Sequence, residues 1–145
     1  MKKHPWRNEY EAEMSDLVGK TFSEVSATDD RISMKCQEGV FTFFHSQDCC
    51  ESVYIESIVG DLSDLIGSPI LIAEEVVSTS NPADAKPETI EYQESFTWTF
   101  YKFATRKGYV DVRWYGSSNG YYSEGVEIRF DPADGYQPEK DKDTP

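Results

Sequence analysis

The sequence predicts an α+β fold that consists mostly of antiparallel β-sheet. Ten Val, eight Ile and nine Thr residues stand against four Leu, and β-branched residues favour strands over helices. Apolar and polar residues alternate over several short segments, and residues typical of turns separate these segments. The 145 residues suffice for one domain with one hydrophobic core.

Short helical turns are expected in the first half of the chain. The glutamates within residues 9–13 can begin a short helix, and the string Ser15-Asp16-Leu17-Val18-Gly19 predicts a turn with Ser15 as N-cap and Gly19 at its end. Nearly the same string returns at residues 62–67, and a β-prone stretch follows both copies. Two interpretations stay open, namely a weak internal repeat and a single capping solution that is used twice.

Four strands are expected before residue 80, at residues 31–36, 40–46, 51–58 and 69–77. Residues 37–39 join the first two strands as a short hairpin loop. Residues 78–90 contain two prolines and many small polar side chains, and this composition predicts an exposed and mobile loop.

The C-terminal third predicts an antiparallel meander of three strands. Apolar residues alternate at 96–100, 110–114 and 126–130, and turns are expected at 105–108 and 117–120. The Asn119-Gly120 pair in the second turn is a strong hairpin signal. We therefore expect one globular domain over residues 1–130 and a polar, flexible tail over residues 131–145.

The composition argues against several classes of protein. The formal net charge of −13 disfavours direct binding to DNA or RNA, and it suits a protein that offers acid to a basic partner. No apolar run reaches the length of a membrane span, and no apolar segment follows the basic start as in a secretory signal. Three cysteines do not make a disulfide framework, so the cytoplasm is the expected compartment.

The segment 45–51 holds the densest group of reactive side chains. Imidazole and thiolate are zinc ligands, so His45 and Cys49 are candidate metal ligands, and Cys36 could approach across the hairpin. Adjacent cysteines in an extended chain point to opposite faces, so at most one of Cys49 and Cys50 is expected to join His45. A Cys–His nucleophile is a second chemical interpretation. Buried or merely structural cysteines are the alternative to both.

A basic, tyrosine-rich surface is the second candidate site. Residues 100–115 contain four basic residues and one acidic residue, and the outer face of the meander is expected to carry Tyr101 and Phe103 beside Arg113 and Tyr115. Tyr and Arg dominate the hot spots of protein interfaces, and they can also stack a nucleobase and pair a phosphate. The alternative is that a loop or short strands cover the tyrosines as a second core layer. The candidate binding residues are Tyr101, Arg106, Lys107, Arg113, Tyr115, Asn119, Tyr121 and Tyr122.

Acidic residues near the N-terminus form the third candidate site. Carboxylates arrayed on a rigid surface can imitate a phosphate backbone and occupy the nucleic-acid groove of another protein. An ordinary solvated face is the alternative interpretation. The residues concerned are Glu9, Glu11, Glu13, Asp16, Asp29 and Asp30.

Three motifs resemble a family of small uncharacterised proteins from phages and bacteria, which is known as a domain of unknown function. The motifs are Asp48-Cys49-Cys50-Glu51, Gly60-Asp61-Leu62-x-Asp64-Leu65-Ile66-Gly67 and Arg113-Trp114-Tyr115-Gly116-x-Ser118-Asn119-Gly120-Tyr121-Tyr122-Ser123. The resemblance spans roughly residues 40–128, and the third motif is its most specific part. It supplies no catalytic residues. It implies a phage or prophage accessory protein that is expressed in the host cytoplasm.

The expected function is that of a non-enzymatic binding protein, because the sequence contains no phosphate-binding glycine loop, G-x-S-x-G elbow or H-E-x-x-H motif. It would act without a cofactor by occupying a host protein, for example as an anti-CRISPR-like anti-defence inhibitor that mimics nucleic acid. One alternative is a binder that sequesters a small nucleotide signal through Arg113 and the nearby tyrosines, with the site between subunits of a homo-oligomer. The other is a small metal-dependent or thiol enzyme built on His45.

Overall fold

Ten β-strands form two antiparallel sheets in the computed structural model, which describes residues 1–138. The first sheet has the strand order β1-β2-β10-β5-β4-β3, and the second has the order β6-β9-β8-β7. The strands are β1 (Lys2–Lys3), β2 (Tyr10–Glu11), β3 (Phe22–Ala27), β4 (Ile32–Cys36), β5 (Gly39–Phe44), β6 (Ser52–Val59), β7 (Ile72–Ser78), β8 (Ser95–Thr105), β9 (Gly108–Ser118) and β10 (Glu127–Pro132). Two single-turn 3-10 helices, η1 (Met14–Leu17) and η2 (Leu62–Leu65), and one turn of α-helix, α1 (Pro87–Ile90), complete the described elements.

The expectation of a mostly antiparallel sheet is confirmed, whereas helix contributes little. The strands expected before residue 80 are present as β4, β5, β6 and β7, close to their expected bounds. The helical part of the expected α+β fold is limited to three single turns, so the described fold is dominated by its sheets. The scarcity of Leu and the abundance of β-branched residues account for this balance.

The expected helix over residues 9–13 is wrong. Tyr10–Glu11 forms β2, which pairs with β1 on one side and with β10 on the other. The first helical turn begins later, and its N-cap is Glu13 rather than Ser15, since the Glu13 N–H donates to Asp16 Oδ2 at 2.8 Å. Buried Ala12 alternates with exposed glutamates, and this two-residue period is that of a strand.

The expected three-strand meander is wrong in its third strand. β8 and β9 pair as a hairpin, but β10 pairs with β5 in the first sheet. The other edge of β9 is occupied by β6, so no position beside β9 remains for β10. Asn119-Gly120 accordingly begins a connection between the two sheets instead of a hairpin turn.

The two similar strings adopt the same local structure, and this favours the repeat interpretation. Gly19 after η1 has φ 85° and Gly67 after η2 has φ 82°, a region that glycine adopts without steric cost. The Gly19 N–H donates to the Ile70 carbonyl at 2.8 Å, and the Gly67 N–H donates to the Phe22 carbonyl at 2.9 Å. Ile70 occupies the position in the second string that Phe22 occupies in the first, so the two strings bind each other reciprocally.

The repeat extends over both sheets. One half of the chain runs η1-β3-β4-β5-β6, and the other runs η2-β7-β8-β9-β10. Three strands of each half are neighbours in one sheet, while the fourth strand crosses to the sheet of the other half. β6 therefore pairs with β9, and β10 pairs with β5. Because the halves exchange their last strands, neither sheet is complete without the other half.

The hydrophobic core lies between the two sheets. Phe43 of the first sheet packs against Tyr101 and Phe103 of the second, with ring centroids 5.1 and 5.7 Å apart. Such aromatic pairs bury large areas and dominate core energetics. The other fully buried large side chains of the core are Leu17, Phe22, Ile32, Met34, Phe41, Leu65, Trp114 and Phe130.

The last strand of the first half's sheet continues past residue 130, where the globular domain was expected to end. β10 continues to Pro132, and the Tyr136 ring lies 6.1 Å from that of Phe130. The rest of the predicted tail, residues 139–145, lies outside the described residues. None of the helices within residues 1–138 combines the length and the apolar character that crossing a membrane requires.

If the two strings are equivalent, shortening the buried leucine of either one should cost a similar free energy of unfolding. Leu17→Ala and Leu65→Ala should each destabilise the protein by about 2–5 kcal/mol, because both side chains are fully buried. Val18→Ala is the control, since Val18 is 50 % exposed and should change stability by less than about 1 kcal/mol. Urea unfolding measures all three, and a large loss in only one leucine variant would contradict the equivalence.

Candidate functional site

The outer face of the second sheet contains different β8 residues from those expected. Tyr101 and Phe103 were expected on this face, but both are 1 % exposed and belong to the core. Phe100 and Lys102 lie on the outer face instead, opposite Arg113 and Asp111 of β9. Of the predicted residues, Arg113 therefore lies on the outer face, whereas Tyr101 lies in the core.

The length of the β8–β9 turn decides which side chains share a face. Residues 106–107 form the turn, and Thr105 lies opposite Gly108. Counting back from this pair places Phe100 opposite Arg113, and directly opposite residues lie on the same face. Alternation within β8 did not reveal this, because β8 is apolar on both faces over much of its length. The turn length was the signal in the sequence that could have shown it.

Arg113 is held by two carboxylates on the outer face. Its Nε donates to Glu56 Oε2 at 2.5 Å, and its Nη1 donates to Asp84 Oδ1 at 2.8 Å. The hydrogen bond with Glu56 raises the pKa of Arg113 above its ordinary value, and Arg113 in turn lowers the pKa of Asp84. The guanidinium also lies 5.2 Å from the centre of the Trp98 ring. The charge of Arg113 is therefore balanced within the protein.

Loop 79–94 covers one end of the outer face. Asn81 and Gln93 exchange two amide hydrogen bonds of 2.9 and 3.0 Å and so close the base of the loop. Trp98 Nε1 donates to Asn81, and Gln93 Nε2 donates to the Tyr115 hydroxyl at 2.7 Å. Trp98 and Tyr115 are buried beneath this loop. The expected mobile loop is therefore anchored at several points, and it covers Tyr115 as the second-layer interpretation anticipated.

The rest of the outer face forms an open groove, which we call the outer groove. Its volume is about 420 Å³, and it includes side chains from all four strands of the second sheet. Val59 of β6 is 64 % exposed and Val76 of β7 is 58 % exposed. Its principal lining residues are Val59, Val76, Phe100, Lys102, Asp111 and Arg113. The groove thus combines apolar side chains with charged ones, a composition that is compatible with contact with another protein surface.

The remaining predicted binding residues lie at the two ends of the β8–β9 hairpin. Lys107 Nζ donates to the Ile66 carbonyl at 2.5 Å, and Arg106 Nε donates to Ser68 Oγ at 3.3 Å, so both side chains bind the segment after η2. At the opposite end, Asn119 and Tyr122 line a separate pocket of about 280 Å³. Tyr121 beside them is 83 % exposed. The eight predicted residues therefore do not form one continuous surface.

The His45–Glu51 pair joins the two connections between the sheets. His45 Nε2 donates to Glu51 Oε2 at 2.9 Å, and Nδ1 donates to the Gly125 carbonyl at 2.7 Å. Residues 45–51 connect β5 to β6, while Gly125 belongs to the connection from β9 to β10. Both ring nitrogens of His45 are therefore engaged with oxygens of the protein, and neither faces a metal or a thiol in this arrangement.

Glu51 is buried and surrounded by donors. Burial alone would raise the pKa of Glu51, but hydrogen bonds from the Cys49 N–H, the His45 ring and the Asp48 N–H lower it to about 2. Gln47 Nε2 also donates to Glu51 Oε1 at 3.1 Å. The carboxylate is thus held in its ionised form and organises residues 45–51 around itself.

The cysteines differ from the expected arrangement. Cys49 and Cys50 form a disulfide between neighbouring residues, although opposite orientations were expected. The physical reason is that the chain bends at residues 49–50 and does not continue as a strand. Cys36 is a buried free thiol, and burial raises its pKa. Within residues 1–138 no three His, Cys, Asp or Glu side chains converge as a metal site, so the geometry gives the hypothesis of His45 and Cys49 as ligands no support.

The acidic candidates lie at two separate edges of the first sheet. Glu9 lies 3.7 Å from Arg129 beside β2, where Glu11 is also located, and Glu13 and Asp16 cap η1. Asp29 and Asp30 lie in the turn between β3 and β4. β2 and β3 are four strand spacings apart in the sheet, which corresponds to about 19 Å.

Comparison with known proteins identifies a family. A family model described as a domain of unknown function, DUF7448, matches residues 15–128. Comparison with curated proteins and with solved structures gives no match. The matched range contains both similar strings, the outer groove and the His45–Glu51 pair.

Removing the Glu51 carboxylate should change how stability depends on pH. Because the folded pKa of about 2 lies below the ordinary value of 4.5, the ionised group stabilises the fold above pH 4.5, and this stabilisation is lost as the pH falls toward 2. Glu51→Gln should therefore be less stable than the unmodified protein at neutral pH, and the difference should shrink in that acidic window.

Urea unfolding at a series of pH values measures this difference. Glu88→Gln is the control, because Glu88 lies exposed in α1, outside the His45–Glu51 cluster. A difference between Glu51→Gln and the unmodified protein that stays constant from pH 7 to pH 2 would show that the carboxylate is not held ionised.

Loosening the base of loop 79–94 should make the loop accessible to proteases. Gln93→Ala removes the bonds to Asn81 and to Tyr115, which at about 1 kcal/mol corresponds to a roughly fivefold faster cleavage within the loop. Glu94→Ala is the matched control, since Glu94 is the exposed neighbour. Limited proteolysis with mass-spectrometric assignment of the cuts compares the two variants, and equal rates would mean that the amide pair does not anchor the loop.

Proposed function

The chain therefore belongs to the DUF7448 family, a domain of unknown function, and we propose that it is a non-enzymatic binding protein that docks a partner protein on its outer groove. The observation that carries this proposal is that two exposed valines, Val59 of β6 and Val76 of β7, line the same open sheet face as Phe100. Clustered apolar side chains on a soluble surface mark interaction sites more often than isolated ones do.

The first sheet supplies an internal comparison. β3, β4 and β10 of that sheet are the counterparts of β7, β8 and β6 in the second. The outward residues of these three strands include Ser26, Ser33, Lys35 and Arg129, as in an ordinary solvated face. The corresponding strands of the second sheet instead present Val76, Phe100 and Val59. Since the two sheets share one plan, the apolar character belongs to this face and not to the fold as such.

A protein partner fits the groove better than a small anionic ligand does. Arg113 is already bound by Glu56 and Asp84, so it has no uncompensated charge for a phosphate. Asn119 and Tyr122, which the nucleotide hypothesis combined with Arg113, line the separate pocket at the hairpin end. The thiol and metal hypotheses lack support in the same way, because both nitrogens of His45 are hydrogen bonded.

The class of partner is proposed from charge and from the family resemblance. A net charge of −13 favours a basic partner, and the resemblance to phage proteins points to a protein of the host cytoplasm. In its most specific form the proposal is an anti-defence inhibitor of a nucleic-acid-binding host protein. The separation of the acidic residues on the first sheet makes the outer groove a better candidate contact surface than a continuous nucleic-acid mimic.

Site-specific crosslinking tests the proposed docking surface. A photo-crosslinking amino acid at position 76 should give a discrete product with a host protein, whereas the same group at position 18 should not, although Val18 is also 50 % exposed. Adding Val59→Asp should reduce the product from position 76 by about tenfold or more, because a carboxylate would be buried without a partner.

Two results would contradict docking at the outer groove. Equal products from positions 76 and 18, or a product from position 76 that Val59→Asp does not change, would exclude the outer groove as the docking surface. The thermal unfolding of each labelled protein is the folding control, and both positions are exposed enough to accept the crosslinker.

A further inference from the structure

We propose that the partner binds as an extended strand along the edge of β7, so that its backbone continues the second sheet and its side chains reach the outer groove. The inference rests on the proposed function, because it assumes a protein partner at the groove. β7 is the last strand of the second sheet, and within residues 1–138 its only sheet partner is β8. Residues 74–77 of this strand are all exposed.

The other strands at sheet edges are short or interrupted by a bulge, whereas β7 is regular over its whole length, with η1 packed beside it and two glutamates at its centre. β1 has only two residues, and β3 carries a β-bulge between Phe22 and Glu24. β6 carries a bulge between Ile55 and Ser57, and its Ile55 N–H donates to the Asp29 carbonyl at 2.6 Å. β7 pairs with β8 over seven residues without a register shift.

Proteins protect their edge strands with bulges, prolines and charged side chains, because a regular free edge invites another strand. β7 contains no proline and no bulge, its only charged residues are Glu74 and Glu75, and Val76 and Val77 are each 58 % exposed on its two faces. In the described part of the chain no backbone hydrogen bond outside the β8 ladder involves residues 72–78. A regular edge whose only charges are acidic disfavours like strands and leaves a basic strand as the one that fits by strand addition.

The charges of β7 indicate which strand would bind. Glu74 and Glu75 lie at the centre of the exposed edge, and Val76 and Val77 follow them. An antiparallel strand would therefore be stabilised by two apolar residues opposite the valines and then by two basic residues opposite the glutamates. A second copy of this chain fits poorly, since antiparallel pairing of two β7 strands about their centre would place glutamates close to glutamates.

The groove and the edge can be occupied by one segment. Val76 lines the outer groove and also lies on the edge strand, so a strand added beside β7 extends the same outer face. Alternate side chains of the added strand would then lie next to Val76 and Phe100. The backbone bonds would supply affinity, while the groove and the two glutamates would supply the sequence preference.

Two synthetic peptides test the proposal on the full-length protein. The sequence TVVKKTT places its lysines opposite the glutamates in the antiparallel register, and TVVEETT is identical except for its charge. TVVKKTT should bind about tenfold more tightly than TVVEETT, because two opposite-charge pairs replace two like-charge pairs. Amide hydrogen exchange measured by NMR should show protection of every second amide of residues 72–78, namely those that point away from β8.

Variants separate this inference from the proposed function. Val76→Asp should weaken binding of TVVKKTT whether the peptide lies in the groove or along the edge. Val77→Asp should weaken it only in the second case, because Val77 faces away from the groove but lies on the same edge. The two valines are equally exposed, so neither change is expected to unfold the protein.

Several results would overturn the strand-addition model. Binding that Val77→Asp leaves unchanged and that protects no β7 amide would place the peptide on the groove alone, which keeps the proposed function. Equal binding of both peptides, or no binding, would exclude the basic strand. The model would also fail if alternate β7 amides were already protected from exchange in the free protein. Protection that depends on protein concentration would show that a second copy occupies the edge, and protection that does not would show that the chain itself occupies it.

Discussion

The exchange of last strands between the two halves is the constraint on which the rest of the structure depends. β6 completes the sheet of the second half and β10 completes the sheet of the first, so the chain must cross between the sheets twice. The two crossing connections meet at the His45–Glu51 pair, where the imidazole joins Glu51 on one connection to the Gly125 carbonyl on the other. Residues 45–51, whose reactive side chains suggested a metal or thiol site in the sequence, therefore join the two connections in the structure.

The same exchange decides which surfaces are left for function. In the first sheet β10 pairs with β5, so β3 is the edge strand on the opposite side. In the second sheet β6 pairs with β9, so β7 is the edge strand on the opposite side. β3 is irregular at its bulge, whereas β7 is regular and lies beside an apolar groove. The two halves thus share a plan but differ in surface chemistry, and the proposed docking surface rests on that difference.

Much of the local structure could be predicted, and the failures have identifiable physical causes. The hairpin of β4 and β5, strands β6 and β7, and the glycine-terminated turns at η1 and η2 follow from alternation and from turn chemistry, which act over a few residues. The helix expected at residues 9–13 is absent because β2 pairs with β1 on one side and with β10 on the other. β10 lies far away in the sequence, so a local pattern could not reveal this pairing. The candidate surface around Arg113 was only partly correct, since β8 is apolar on both faces and Tyr101 could not be told from Phe100 by periodicity.

The sequence by itself determined the antiparallel character of the protein, its acidic charge, its hairpins and the two similar strings, because these depend on composition and short-range periodicity. Only the tertiary structure decided that β10 pairs with β5, that loop 79–94 covers Trp98 and Tyr115, and that Arg113 is balanced by Glu56 and Asp84. The physical reason is that the partner of a strand edge is the strand that the packing of the whole core places beside it. Which strand that is depends on contacts between residues far apart in the chain, and local patterns carry no record of them.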